Sequence, residues 1–301
     1  MKFWICVATL AAGVLISEAA TASTFFPEEV VCVVGGEKFT HRAHMSYSTW
    51  GGRPDGKPYG SAVFPILPPE CPGNGLFMYR EFSKAELTRL KALLASADYQ
   101  AQRASETPFA RIAWLETALN PDSEDLPGIW LQASWEADEA PRQKETYQRA
   151  FIAAAKVRLS KMKEPETRWL ILRMMNAYRE LGEFDAALAL YETLNPQALM
   201  KGLPDNPKAV DALDEDKQAR WYTARMANML RTAILRHDRS AEPLDLIPER
   251  VAAELCFFEP ETVGDFGRTY CDMPAIKAVI EENRESWAGI KAEMAADPKE
   301  K

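Results

Sequence analysis

One pattern occurs twice in the second half of the chain, and it restricts the possible folds more than any other feature. Each copy begins with Arg-Trp and continues with Arg, Met, Asn and Arg at identical spacings; the first starts at Arg168 and the second 52 residues later, at Arg220. The later members are Arg173, Met174, Asn176 and Arg179 in the first copy, and Arg225, Met226, Asn228 and Arg231 in the second. Helical units that recur in this way bury their apolar faces by stacking on their neighbours. The sequence therefore predicts a mainly α fold of stacked helical hairpins.

Helical patterning is predicted to extend over residues 81–296. It begins with a capping box, in which Ser83 is the N-cap and Glu86 stands three residues later. Leucines then recur at helical spacing. The further predicted helices, most of them bounded by prolines, cover about 108–119, 128–138, 142–162, 166–181, 184–195, 215–236, 246–256 and 274–294. These residues are expected to form one helical domain.

Residues 23–80 have a different character and predict a small β-rich module. Residues 30–34 are short and β-branched, which is typical of a strand, and the glycine pair at 35–36 would end it. Residues 37–40 are expected to return as the second strand of a hairpin. The segment 51–75 is rich in proline and glycine and predicts an ordered loop, after which residues 76–79 are expected to form another short strand.

The first 22 residues have the pattern of a signal peptide. Lys2 precedes an uncharged apolar run, and Ala20-Thr21-Ala22 is a cleavage signal of the A-x-A type. Cleavage there would leave a mature chain that starts at Ser23 and is periplasmic or secreted, with no transmembrane segment. The alternative is an uncleaved N-terminal anchor, although the run is shorter than the roughly 20 residues of a comfortable membrane span.

Four cysteines follow the predicted signal peptide, namely Cys32, Cys71, Cys256 and Cys271. An even number in an exported protein favours two disulfides, and three connectivities are possible. The sequential pairing of Cys32 with Cys71 and of Cys256 with Cys271 is the simplest, because each pair lies within one local segment. Four buried free thiols are the alternative.

The composition limits the class of partner. Hydrophobic residues make up 47% of the chain and charged residues 27%, which is usual for a globular protein and excludes a disordered one. The net charge is −8. Nucleic acid is therefore not expected as a partner, because binding to phosphates requires a basic surface.

We call the repeated pattern the Arg-Asn pattern. The segment that contains its first copy resembles a tetratricopeptide repeat over about residues 167–199. The resemblance is carried by Ala177-Tyr178-x2-Leu181-Gly182-x-Phe184-x2-Ala187-Leu188-x2-Tyr191. It implies a tetratricopeptide-like solenoid, with degenerate neighbouring repeats at 128–162 and 217–256, a tight turn at Gly182 and close helix contacts at Ala177 and Ala187. Trp169 and Trp221, at the helix starts, are expected to lie in the core between hairpins.

The N-terminal module resembles a degenerate rubredoxin-like zinc ribbon of an uncharacterised bacterial family. The resemblance is carried by Val31-Cys32-x2-Gly35-x2-Phe39 and by Glu70-Cys71-Pro72-Gly73-Asn74. Gly35 and Asn74 stand where each knuckle would have its second cysteine, so the four thiolates of such a zinc site are not available. The resemblance implies a ribbon in which a disulfide has replaced the metal, and no cofactor is expected. An alternative is a zinc site made by Cys32, Cys71, His41 and His44.

No catalytic motif is evident in the chain. Gly51-x4-Gly56-Lys57 looks like a phosphate-binding loop, but Pro58 stands where Ser or Thr would hold Mg²⁺, so a turn at residues 54–56 is expected instead. His237 is expected to cap a helix C-terminus. An enzyme is therefore less expected than a binding protein, although catalytic carboxylates have no diagnostic spacing.

The Arg-Asn pattern is the candidate binding site. The tetratricopeptide resemblance implies that Asn176 faces the inner groove, with Arg173 and Arg179 one turn away on either side, and that Arg225, Asn228 and Arg231 repeat this arrangement. Arginine pairs with carboxylates and asparagine bonds an extended main chain, so an acidic peptide segment is the expected ligand. The leading hypothesis is an exported, non-enzymatic scaffold that binds a protein or peptide in this groove. The alternatives are a periplasmic metal-binding module that uses the Cys and His residues, or a cell-envelope hydrolase.

Overall fold

The computed structural model describes residues 24–163 and 165–296, so the predicted signal peptide lies outside the described residues. The described chain is mainly helical, with a small β module at its N-terminal end, as predicted. The module has two antiparallel pairs of strands: β1 (Thr24–Val31) with β2 (Lys38–Ser46), and β3 (Thr49–Gly52) with β4 (Pro58–Gly60).

Twelve α-helices follow in the described residues. They are α1 (Lys84–Leu94), α2 (Ala97–Ser105), α3 (Pro108–Leu119), α4 (Leu126–Glu136), α5 (Pro141–Leu159), α6 (Thr167–Leu181), α7 (Phe184–Leu194), α8 (Pro196–Met200), α9 (Glu215–Leu235), α10 (Glu249–Phe258), α11 (Gly264–Cys271) and α12 (Pro274–Ala296). The sequence prediction lacks α2, α8 and α11, because helices of nine residues or fewer contain too few turns to show a clear period. None of the described helices has the length and apolarity needed to cross a membrane.

The strands differ from the prediction: β1 begins at Thr24 rather than at residue 30, β2 runs on to Ser46 rather than ending at residue 40, and β3 and β4 lie partly in the segment predicted as a loop. The first strand ends at Val31 rather than at residue 34, because Cys32 starts a turn in which its amide donates to Glu37 O and its carbonyl accepts from Gly36 N. Residues 76–79 do not form a strand; a single antiparallel bridge joins Glu70 to Phe77. This bridge lies next to a second turn of the same kind, in which Cys71 N donates to Leu76 O.

The helices that contain the two Arg-Asn copies lie side by side. Helix α6 contacts both α7 and α9, and α7 also contacts α9, around one shared apolar core. Gly182 ends α6 in the left-handed conformation that favours glycine (φ 79°), and Ala187 of α7 is fully buried, as predicted. The tryptophans behave differently, since Trp221 is buried but Trp169 is 50% exposed. The prediction that Trp169 lies in the core is wrong.

The two disulfides have the sequential pairing. Cys32 bonds Cys71 and Cys256 bonds Cys271, with Cα–Cα distances of 5.7 and 5.6 Å. The first lies in an apolar cluster with residues of α1, α2 and α3, including Leu90 and Tyr99. The disulfide therefore attaches the β module to the first helices, while the second disulfide joins α10 to the end of α11.

Peptide mapping without reduction should recover these two pairs. Replacing Cys256 and Cys271 by serine opens a loop with a sequence separation of 15 residues and should lower the free energy of unfolding by about 3 kcal/mol. The same change at Cys32 and Cys71, 39 residues apart, should cost about 4 kcal/mol. Urea titration of the two double variants measures both effects. Any other linkage, or four thiols that react with an alkylating agent in the folded protein, would contradict the pairing.

Candidate functional site: the two copies of the Arg-Asn pattern

The first copy, on α6, binds a segment of its own chain. Arg173 Nη1 donates to Pro54 O at 2.5 Å. Gly56 lies against the same guanidinium, so closely that a Cβ atom there would be 2.9 Å from Arg173 Cζ. Burial lowers the pKa of Arg173, and the charge of Asp55 acts in the opposite direction. Arg173 therefore does contact a main-chain carbonyl near an acidic residue, but the segment belongs to this chain.

The other two residues of the first copy are inside the protein. Asn176 is 1% exposed and Arg179 is 0% exposed. Arg179 donates to Asn176 Oδ1 at 2.8 Å and to Asp238 O at 2.6 Å, and Asn176 donates to Glu180 Oε1 at 2.7 Å. Asn176 and Arg179 are thus not available to a peptide, and their prediction as ligand contacts is corrected. Their hydrogen-bonding capacity is used within the fold, as burial of polar groups requires.

The segment that reaches Arg173 is the connection of residues 53–57 between β3 and β4, which contains a β-turn and which we call the inserted turn. Gly56 N donates to Arg53 O at 2.9 Å, and the amide of Lys57 donates to Asp55 Oδ1 at 2.9 Å. Arg53 and Asp55 form a buried ion pair at 2.5 Å. The expected turn at residues 54–56 is confirmed by the hydrogen bond from Gly56 to Arg53, and Lys57 Nζ is bound to Asp138 and to the carbonyl of Trp135.

Asp138, between α4 and α5, holds the inserted turn in place. Its carboxylate accepts from Arg53 at 2.8 Å, from Lys57 at 2.7 Å and from Lys144 at 2.8 Å. Burial by itself raises the pKa of Asp138, but hydrogen bonding and the charges of Arg53 and Lys144 outweigh it, so the pKa lies well below the ordinary value. The carboxylate is therefore ionised at neutral pH and balances cations from both the turn and α5.

The strands that flank the inserted turn contact the segment after α9. The hydroxyl of Tyr59 donates to Glu242 Oε1 at 2.6 Å. Gly51, with φ 125°, lies so close to Pro248 that a Cβ atom would be 2.4 Å from the proline ring. The β3–β4 pair and the inserted turn together thus contact three regions of the helical domain: the end of α4, the middle of α6 and the chain after α9.

The second copy, on α9, is exposed. Arg225 lies over the ring of Trp221 at 5.2 Å and Arg231 over the ring of Tyr191 at 5.4 Å. The hydroxyl of Tyr191 donates to Asn228 Oδ1 at 2.8 Å, which leaves the Asn228 amide hydrogens unused among the described residues. No described carboxylate is within ion-pair distance of Arg225 or Arg231. Tyr191 was not among the predicted site residues, although the tetratricopeptide resemblance included it.

The structure does not bring together the residues of the alternative zinc site. Cys32 and Cys71 are bonded to each other. His41 and His44 are three residues apart on β2, so they lie on opposite faces of the strand, and His44 contacts the ring of Phe25 at 4.3 Å. Within residues 24–163 and 165–296, no group of three or more His, Cys, Asp or Glu side chains could hold a metal ion.

Comparison with protein families, with curated proteins and with solved structures gives no match. The function is therefore inferred from the geometry of this chain. An acidic cavity of about 620 Å³ near the end of α9 bears on the hydrolase alternative. Three of its four carboxylates are already engaged, since Asp238 pairs with Arg236, Glu242 accepts from Tyr59 and Asp265 pairs with Arg268. This cavity offers no evident pair of free acid and base groups.

Proposed function

We propose that this protein is an exported, non-enzymatic scaffold that binds an acidic segment of another protein on the exposed face of α9. The proposal rests on the contacts that Arg225 and Arg231 make. Both guanidinium groups lie over aromatic rings and have no carboxylate partner among the described residues, in a chain whose net charge is −8. Stacking on a ring restricts the orientation of a guanidinium without using its N–H donors, which remain free for carboxylates.

The contacts of the first copy indicate which ligand the second copy could bind. Arg173 donates to the carbonyl of Pro54 and lies near the carboxylate of Asp55. A segment with an accessible main-chain carbonyl next to an acidic side chain would make the same interactions with Arg225 or Arg231. The free amide hydrogens of Asn228, between the two arginines, suit a second main-chain carbonyl.

Export is part of the same proposal. The N-terminal sequence has the features of a cleavable signal peptide. The two disulfides fit an oxidising compartment, which favours a periplasmic or secreted location.

The proposal is tested with two synthetic octapeptides that differ only in charge, one rich in Asp and Glu and one with Asn and Gln in the same places. Fluorescence anisotropy should detect weak binding of the acidic peptide and none of the neutral one. Because a hydrogen bond to a charged group contributes about 1.5–3 kcal/mol, changing Arg225 and Arg231 together to Met should weaken binding at least tenfold. Binding should also weaken with added salt, which screens exposed charges over about 8–10 Å.

Arg250→Met is the matched control, because it also removes a surface arginine, from α10, whose partner is Glu254. It should leave binding unchanged. Equal affinity for the acidic and neutral peptides, or equal affinity of the double variant and the unchanged protein, would remove α9 as the binding face.

A further inference from the structure

A cavity of about 650 Å³ lies beside β2, on the side of the molecule where the β module meets α4. Three residues of β2 line it, His41, Arg42 and His44. The opposite walls come from the segment around Phe64 and from Trp135, near the C-terminal end of α4. The inferred role of α9 does not involve this region.

The cavity runs along the edge of β2 rather than over one face. Neighbouring residues of a strand point to opposite faces, yet both His41 and Arg42 line the cavity. None of the lining residues belongs to β1, which pairs with the other edge of β2. Among the described residues, no main-chain hydrogen bond joins β2 to any segment except β1. The outer edge of β2 therefore has unpaired N–H and C=O groups next to an open space.

β2 is also the strand of this pair that is able to accept another strand. Proteins usually protect exposed edges with proline, short strands or bulges. β1 has Pro27 in its middle, whereas β2 runs for nine residues without proline. A two-stranded ribbon is marginally stable alone, and a third strand would complete it.

Apolar side chains near this edge of β2 are exposed to solvent. Val63 is 87% exposed and Leu67 is 45% exposed, which leaves apolar surface in water beside the cavity. Two residues that line the cavity, His44 and Trp135, each have a buried ring nitrogen, Nδ1 and Nε1 respectively, with no hydrogen-bond partner among the described residues. Unpartnered buried polar atoms are unfavourable, so this wall of the cavity is incompletely satisfied by the described residues.

The charge of β2 selects among the possible occupants. Its charged side chains are Lys38 and Arg42, and it has no acidic residue; the carboxylates that line the cavity, those of Glu136, Asp138 and Glu139, belong to the opposite wall, at the end of α4 and just after it. A second copy of β2 would place like charges opposite each other, which is destabilising, while acidic residues on an added strand would be favourable cross-strand partners. We propose that the outer edge of β2 is a strand-addition site for an extended, proline-free segment of another protein that alternates apolar and acidic residues. Its apolar side chains would enter the cavity against Val63 and Leu67.

The test uses residues 23–301, which follow the predicted signal peptide, and a synthetic peptide of four Val-Glu repeats. The peptide should bind, and hydrogen exchange of the β2 amides, residues 38–46, should slow on binding. A peptide with N-methyl groups on alternate residues of its pairing edge should bind at least tenfold more weakly, because it lacks the main-chain donors. A peptide methylated on the opposite edge should keep its affinity.

The variant Val63→Asp tests whether the apolar surface beside the cavity takes part in binding. The side chain is almost fully exposed, so the melting temperature should not change, but peptide binding should fall at least tenfold. Val157→Asp on α5, at a position that is 49% exposed, is the matched control and should bind normally. The Arg225 and Arg231 variants should also bind normally, so failure of this site is distinguishable from failure of the α9 proposal.

Three results would overturn the proposal. The first is no binding, or binding that is indifferent to N-methylation. The second is slower exchange confined to residues outside β2. The third is a concentration-dependent dimer, seen by sedimentation and lost in Val63→Asp, which would assign the edge to a second copy of this chain.

Discussion

Replacing Arg179 by methionine should lower the free energy of unfolding by about 3–5 kcal/mol, the cost of removing one partner from a buried charge network. Arg179 is fully buried and donates to Asn176 Oδ1 and to Asp238 O. Methionine fills a similar length but donates no hydrogen bond, so the buried acceptors would be left unpaired. Urea unfolding followed by circular dichroism measures the loss.

The second copy of the pattern offers the matched control. Arg231 is the counterpart of Arg179, but it is exposed and its contact is the ring of Tyr191. Arg231→Met should therefore change the free energy of unfolding by less than about 1 kcal/mol. Equal losses in the two variants would contradict the difference in burial between the copies.

Replacing Asp138 by asparagine should also destabilise the fold, by about 2–4 kcal/mol. The side chain is 23% exposed, so the effect is smaller than for a fully buried group. The change removes the one carboxylate that Arg53, Lys57 and Lys144 share, and it leaves three cations close together. The adjacent Glu139→Gln, an exposed carboxylate with the same change in charge, should lie within about 0.5 kcal/mol of the unchanged protein. Comparable losses in Asp138→Asn and Glu139→Gln would contradict this role.

The contribution of Asp138 should also depend on pH. Its pKa in the folded protein lies below that of an unfolded aspartate, about 3.9. A depressed folded pKa contributes stability above the unfolded value, and that stability is lost as the pH falls below about 4 toward the folded pKa. The difference in stability between the unchanged protein and Asp138→Asn should therefore be constant near neutral pH and shrink in acid. A difference that persists unchanged below pH 3 would contradict the assignment.

Local features of the fold could be predicted from the sequence. The capping box at Ser83 forms as expected, and α6 begins and ends within one residue of the predicted bounds. The disulfide pairing was left open by the sequence, and the simplest choice is the one observed, because each pair closes a local segment. Such features depend on residues that are near each other in the chain.

The exposure of the two Arg-Asn copies could not be predicted. Both copies have the same residues at the same spacing, so no local signal distinguishes Asn176 from Asn228. The first copy is covered by contacts from distant segments: Arg173 binds the inserted turn at Pro54, 119 positions earlier, and Arg179 binds the carbonyl of Asp238. A pattern identifies which side chains share a helix face, but distant contacts decide what covers that face.

The inserted turn also affects how the protein unfolds. Stacked helical units in which each contacts only its neighbours can lose their structure one unit at a time. Here Asp138, Arg173 and Glu242 all bind residues of the short segment 53–59. None of the helices that contain or adjoin these residues can separate without breaking bonds to a segment that the others also contact. The β3–β4 pair therefore couples these parts of the helical region, and we expect them to unfold together with it in a single transition.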